Sequence, residues 1–155
     1  MTRADTPEQL FADALARNPS RPFVTYYDDS TGERSELSLK SLANWVAKTY
    51  HLLVDQLGLD VGAAAYVELP AHWISTAPIL GAFAAGLRFD TDPGASDVAF
   101  VTAETAARAT GVPDVFAIST STAAIGFRDA PPAGTEDFVA AVRPQPDAWA
   151  GVRLR

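Results

Sequence analysis

Three groups of residues have the types and spacing to do chemistry. His72 follows an apolar run that ends at Glu68-Leu69-Pro70, with Trp73 beside it. An imidazole at a strand end could serve as a general acid or base. No second histidine or serine elbow is placed to complete a triad, because His51 falls in the middle of a long helical pattern. The simpler expectation is a histidine at a helix start packing on its neighbours. Asp90 and Asp92 lie two apart after Leu87-Arg88-Phe89. Residues two apart in a strand share a face. Two close carboxylates there could bind Mg2+ or raise one another's pKa. The plainer expectation is a capped turn leading into Pro93. The third group is Ile118–Arg128, where Ser119, Thr120 and Gly126 approximate a phosphate loop. A phosphate cradle needs tight bends, hence several glycines, and gains from a lysine. This stretch has one glycine and no lysine, so a strand end with a polar loop is expected. No residue is assigned a catalytic or cofactor-binding role on this basis, and no metal site is expected.

Helices and strands must position these groups. Thr6-Pro7-Glu8-Gln9 opens a first helix with a capping box, and Asn18-Pro19 closes it. Arg21–Asp28 and Glu33–Leu37 flank the turn Asp29-Ser30-Thr31-Gly32 and read as a hairpin. Ser38 caps a longer helix. Leu39, Leu42, Val46, Tyr50, Leu53 and Leu57 recur every three or four residues along it, and Gly58 ends it. Ala63–Leu69 is a near-continuous apolar run, as in a strand covered on both faces. A helix over 71–85 follows, closed by Gly86, then a short strand at Leu87–Thr91. Strands at Val98–Thr102 and Asp114–Ser119 enclose a short helix at Ala103–Thr110. Beyond them the pattern predicts a strand at Ala123–Arg128, a helix at Thr135–Val142 capped by Thr135, and an irregular tail from Pro144 to Arg155. This alternation predicts an α/β fold, a layered, mainly parallel sheet flanked by helices. The expectation is one domain over 1–155, with an ordered core at 6–143 and the tail at 144–155. Trp45, Tyr50, Trp73 and Phe83 take core-like spacings and serve as core or as a contact face.

Composition narrows the function classes. The 155 residues carry 12 basic and 19 acidic side chains, a net charge of −7. A nucleic-acid partner calls for a basic surface, and none is expected. Cysteine is absent, which excludes disulfides, thiolate metal sites and a cysteine nucleophile. The start has no signal-like apolar stretch. The longest apolar segment, Trp73–Phe89, contains Ser75, Thr76, Pro78 and Arg88 and does not suit a bilayer. Neither a membrane partner nor a location outside the cytoplasm is expected.

Two segments carry a family resemblance. Leu37-Ser38-Leu39-Lys40-Ser41-Leu42 is similar to an L-[ST]-Y-x-E-L helix opening, without its tyrosine and glutamate. Phe83-Ala84-Ala85-Gly86 begins a pattern close to L-K-A-G-x-x-x-x-P-x-[DN]-P, in which Asp90-Thr91-Asp92-Pro93 replaces the usual residues. With the Gly58–Gly62 turn and the strand into Leu69-Pro70, the order resembles the N-terminal part of the adenylate-forming enzymes. These are the AMP-dependent synthetases and ligases, including the acyl-CoA synthetases. The resemblance covers roughly residues 6–102. It extends to short actinobacterial proteins that keep only this part, like the N-terminal subdomain of acetyl-CoA synthetase-like proteins.

The resemblance implies scaffold more than chemistry. In the family, a Ser/Thr/Gly-rich loop ending in Pro-Lys-Gly holds phosphate. An aromatic-Gly-x-Thr-Glu segment meets adenine and magnesium, an Asp binds ribose, and a Lys on a mobile C-terminal domain completes the site. None of these stands in the 155 residues. The expected function is a stand-alone, non-catalytic ligand-binding or protein-interaction module with no cofactor. One alternative is a component of a split or truncated acyl ligase, where ATP or AMP and Mg would enter. Another is a small metal-dependent hydrolase using His72, Asp90 and Asp92. A domain cut from a larger one exposes apolar surface, so a homo-oligomer or a partner protein is expected, and a small-molecule ligand remains open.

Overall fold

The computed structural model describes residues 6–121 and 126–148. Helix α1 spans Pro7–Arg17. Its capping box forms, with Gln9 N–H donating to Thr6 Oγ1 and Thr6 N–H to Gln9 Oε1. Strands β1 (Pro22–Asp28) and β2 (Glu33–Ser38) pair antiparallel as the expected hairpin. Ser38 caps α2 (Leu39–His51) by accepting from Ser41 N–H. The helix continues as a π-helical turn over Leu52–Gln56. That wider turn lets the adjacent Leu52 and Leu53 both point inward, and both are fully buried.

The main sheet holds five parallel strands: β3 (Ala64–Glu68), β4 (Arg88–Phe89), β5 (Val98–Val101), β6 (Asp114–Ala117) and β7 (Glu136–Asp137). Their order across the sheet is β4-β3-β5-β6-β7. The expected α/β class and parallel sheet are borne out. The two faces differ in cover. Ala65, Val98, Phe100, Phe116 and Ile118 face α2, α3 (Thr76–Ala84) and α4 (Phe138–Val142). Among the described residues, Tyr66, Ala99, Val101 and Ala117 face a 3-10 turn at Ala106–Ala109 with Val112 and Phe127. Helices α2 and α3 approach closely because Gly81 has no side chain. A Cβ there would lie 2.4 Å from the buried Thr49.

Several boundaries move from those read in the sequence. The helix expected over 71–85 begins as a 3-10 turn at Trp73–Ser75 and becomes α-helical only at Thr76, because His72 is the extended capping residue. The short helix near 103–110 is the 3-10 turn at Ala106–Ala109. Thr135 does not cap the last helix: its hydroxyl donates to the Pro132 carbonyl, and Asp137 is the cap of a shorter α4. The reason lies in strand pairing, since Phe116 and Ala117 draw Glu136 and Asp137 into the sheet. Most of the strand expected at 123–128 lies outside the described residues, and Gly126–Arg128 is not strand. Of the tail, residues 144–148 are described and irregular.

Candidate functional site: the carboxyl edge of the parallel sheet

Because β3 to β7 run in one direction, their C-terminal ends share one edge. Chain order reverses across the sheet between β3 and β5, and ligands of open α/β sheets enter at such a switch point. The structure brings the groups singled out in the sequence to this edge. His72 follows β3, Asp90 and Asp92 follow β4, and Ser119 and Thr120 follow β6.

Two side chains not singled out lie at the switch point itself. Glu68 ends β3 and Arg108 sits in the turn after β5. Arg108 Nη1 donates to Glu68 Oε1, and the Tyr66 hydroxyl donates to Glu68 Oε2. Thr105 Oγ1 donates to the Glu68 carbonyl at 3.1 Å and accepts from Thr102 N–H at 2.9 Å. The network joins residues 40 apart in sequence, so no local motif announces it. Asp137 also escaped notice. It accepts from Val139 N–H at 3.0 Å and from Phe127 N–H at 2.9 Å.

The aspartates are engaged in the turn. Asp90 Oδ1 accepts Asp92 N–H at 2.8 Å, while Oδ2 meets Arg88 Nη1 at 2.5 Å. These hydrogen bonds, that from Asp92 N–H foremost, hold the Asp90 carboxyl below the ordinary carboxylate range. Asp92 accepts Gly94 N–H at 2.8 Å and caps a 3-10 turn at Pro93–Ala95. Among the described residues, no group of three or more His, Asp or Glu is placed to hold a metal ion.

His72 is buried, 6 % exposed, with its ring 4.5 Å from that of Tyr26 in the hairpin and 5.7 Å from that of Trp73. Its Nδ1 accepts Ile74 N–H at 3.2 Å, so the neutral ring carries its proton on Nε2. Among the described residues, that Nε2 is buried with no hydrogen-bond partner. Burial lowers the His72 pKa, against a weaker upward pull from Glu33 and Asp28.

Of the phosphate-loop candidate, residues 122–125 lie outside the described residues, and the groups on either side are engaged within the fold. Ser121 N–H already points to Ser119 Oγ at 3.4 Å. Gly126 has φ +102°, and a Cβ there would lie 2.5 Å from Asp137 Oδ2. The glycine therefore makes room for a carboxylate, which would repel phosphate.

Comparison with known proteins agrees with this architecture. The chain has the fold of acyl-CoA synthetases over most of its length. It superposes on an acyl-CoA synthetase from Brucella canis with a TM-score of 0.68 at 21% identity, over 86% of this chain and 26% of that one. For the acetoacetyl-CoA synthetase from Streptomyces lividans the TM-score is 0.70 at 18% identity, over 92% and 26%. For the anthranilate CoA ligase AuaEII in complex with anthranoyl-AMP it is 0.67 at 17%, over 92% and 29%. No protein-family model matches the chain. A Mycobacterium tuberculosis protein named TIGR03089 family protein is 38% identical over 150 residues, spanning 92% of this chain. The chain spans 62% of that relative's length. The resemblance to adenylate-forming proteins drawn from the sequence is borne out, and it is the fold that the solved structures establish.

Proposed function

We propose that this chain is an adenylate-forming-like domain that binds without turning over, acting as a ligand-binding or protein-interaction module. One observation carries this: along the carboxyl edge of the sheet, the carboxylates that could do chemistry already serve side chains and backbone amides of the fold. Glu68 is held by Tyr66 and Arg108, Asp90 by Arg88 and a backbone amide, and Asp92 caps a turn. A general base or metal ligand needs a free lone pair directed into the site. Exposed apolar side chains support an interaction role: Leu10 on α1, with Phe23 and Tyr27 on the outer face of β1, are more than half exposed. A second copy or a partner protein would cover them, in the cytoplasm. No described helix is long and apolar enough to cross a membrane.

ATP–pyrophosphate exchange tests the proposal. The chain alone, given MgATP and a panel of carboxylic acids, should show no exchange above the blank. Exchange by the chain alone overturns it. Sedimentation tests the interaction role, which a monomer at all concentrations, with no partner captured, contradicts.

A second reading has its own support. The chain spans 62% of its mycobacterial relative and little more than a quarter of the synthetases. On that reading it supplies one part of an acyl-adenylate site that further polypeptide completes. Exchange activity appearing only when that polypeptide is added would favour it.

A further inference from the structure

A cleft lies between α2 and α4 on the helical side of the sheet. Its volume is about 330 Å3, and Ser41, Asn44, Trp45, Lys48, Val139 and Val142 line it with Arg143. That volume falls at the small end of the range for ligand pockets. Ser41, Trp45 and Lys48 recur at spacings of four and three, so α2 presents them on one face. Val139 and Val142 supply the apolar wall opposite.

The chemistry of the lining is specific. Lys48 Nζ donates to the carbonyls of Arg143 and Gln145 at 3.1 and 2.6 Å. Those bonds use two of its three donors and fix the ammonium in place. No carboxylate pairs with Lys48 among the described residues, in a chain with seven more acidic than basic side chains. A half-buried cation without a counter-charge is costly, and an anion would offset that cost. Beside it, the Trp45 indole is clamped. It stacks near Phe138, centroids 6.3 Å apart and planes at 18°, and meets Trp73 edge-on at 5.9 Å. A plane held this way loses little freedom when a ring or chain packs on it. The Asn44 amide, at the rim, makes no hydrogen bond among the described residues.

We propose that this cleft binds a small organic anion: one negative head for Lys48 and Asn44, on an apolar body for Trp45, Val139 and Val142. The site is independent of the sheet edge and of the proposed non-catalytic role.

Calorimetric titration with three probes tests this. They are 2-naphthoate, the uncharged 2-naphthalenemethanol of the same body, and acetate as the head alone. The naphthoate binds, the alcohol binds at least about tenfold more weakly, and acetate gives no heat at the same concentrations. Lys48→Met removes the preference for acid over alcohol, and Lys48→Arg keeps it. Lys48 also anchors residues 143 and 145, so a second variant is needed. Ser41→Trp, on the exposed rim, fills the cleft and abolishes naphthoate binding with an unchanged melting curve. The inference is overturned if wild type fails to bind naphthoate at millimolar concentration. Equal affinity for acid and alcohol overturns it too, as does a folded Ser41→Trp variant that still binds.

Discussion

The carboxyl edge of the sheet and the α2–α4 cleft both concentrate polar groups, and they treat them in opposite ways. At the edge, Glu68, Arg108, Tyr66 and Thr105 are bonded to one another, as are Asp90 and Arg88. In the cleft, among the described residues, Lys48 keeps one ammonium hydrogen and no carboxylate, and Asn44 keeps its amide. A satisfied network rigidifies the fold, while an unsatisfied group is free to meet a ligand. On the proposed reading, the place where α/β topology leads one to look for chemistry serves as scaffold. The less expected place, between two helices, keeps donors of Lys48 and Asn44 open.

If the edge is scaffold, breaking it should cost stability. The largest loss is expected for Asp137→Ala, which removes the α4 cap and leaves Phe127 N–H without its acceptor. Together these amount to about 2–3 kcal/mol, read as a drop in the urea midpoint. Glu68→Ala strips the Tyr66 hydroxyl of its acceptor and should cost about 1–2 kcal/mol, with naphthoate binding unchanged. The converse variant, Asn44→Ala, should weaken naphthoate binding while the urea midpoint stays put. If Glu68→Ala were harmless and Asn44→Ala destabilising, the contrast would be reversed.

The two histidines give the contrast a pH signature. His72 has an orphan Nε2 and a lowered pKa, so its folded state disfavours the charged ring. Its contribution is fully present above the ordinary value of 6.5 and is lost as pH falls below it towards the folded pKa. His51 is the opposite case. Partial burial opposes its charge, but Nδ1 meets Asp55 Oδ2 at 2.5 Å and Nε2 meets the Ala148 carbonyl at 2.8 Å, and these raise its pKa. Its contribution is present below 6.5 and is lost as pH rises through the folded value. Urea midpoints from pH 5 to 8 should therefore fall at both ends. His72→Phe flattens the acid limb and His51→Phe the alkaline one. The smallest effect belongs to Asp90→Asn, a turn residue paired with the exposed Arg88. It should cost under about 1 kcal/mol.

Local signals made much of the fold legible in the sequence. The Thr6–Gln9 box, the Ser38 cap and the apolar stripe of α2 each specify structure within a few residues of themselves, and each appears as expected. What could not be read depends on partners far along the chain. Asp137 displaces Thr135 as a cap because β6 pairs with residues twenty positions later. Glu68 meets Arg108 across 40 residues, and Lys48 meets Arg143 across 95. His72, Asp90 and Asp92 could be placed at strand ends from the alternation of elements. The capped turn at Asp92 and the helix-start histidine could be read as well; that the His72 ring packs on Tyr26 of the hairpin could not, because that contact forms only in the folded chain. The cleft left no trace at all, being lined by two helices that meet only in the folded chain.

The central claim is that the carboxyl edge is closed to a nucleotide. Backbone amide shifts of the isotope-labelled protein, followed as MgATP is added to millimolar concentration, test it most directly. The account predicts no saturable movement at Thr102, Thr105, Arg108, Ser119 or Thr120. Saturable shifts confined to those residues would contradict it and place a nucleotide at the switch point after all.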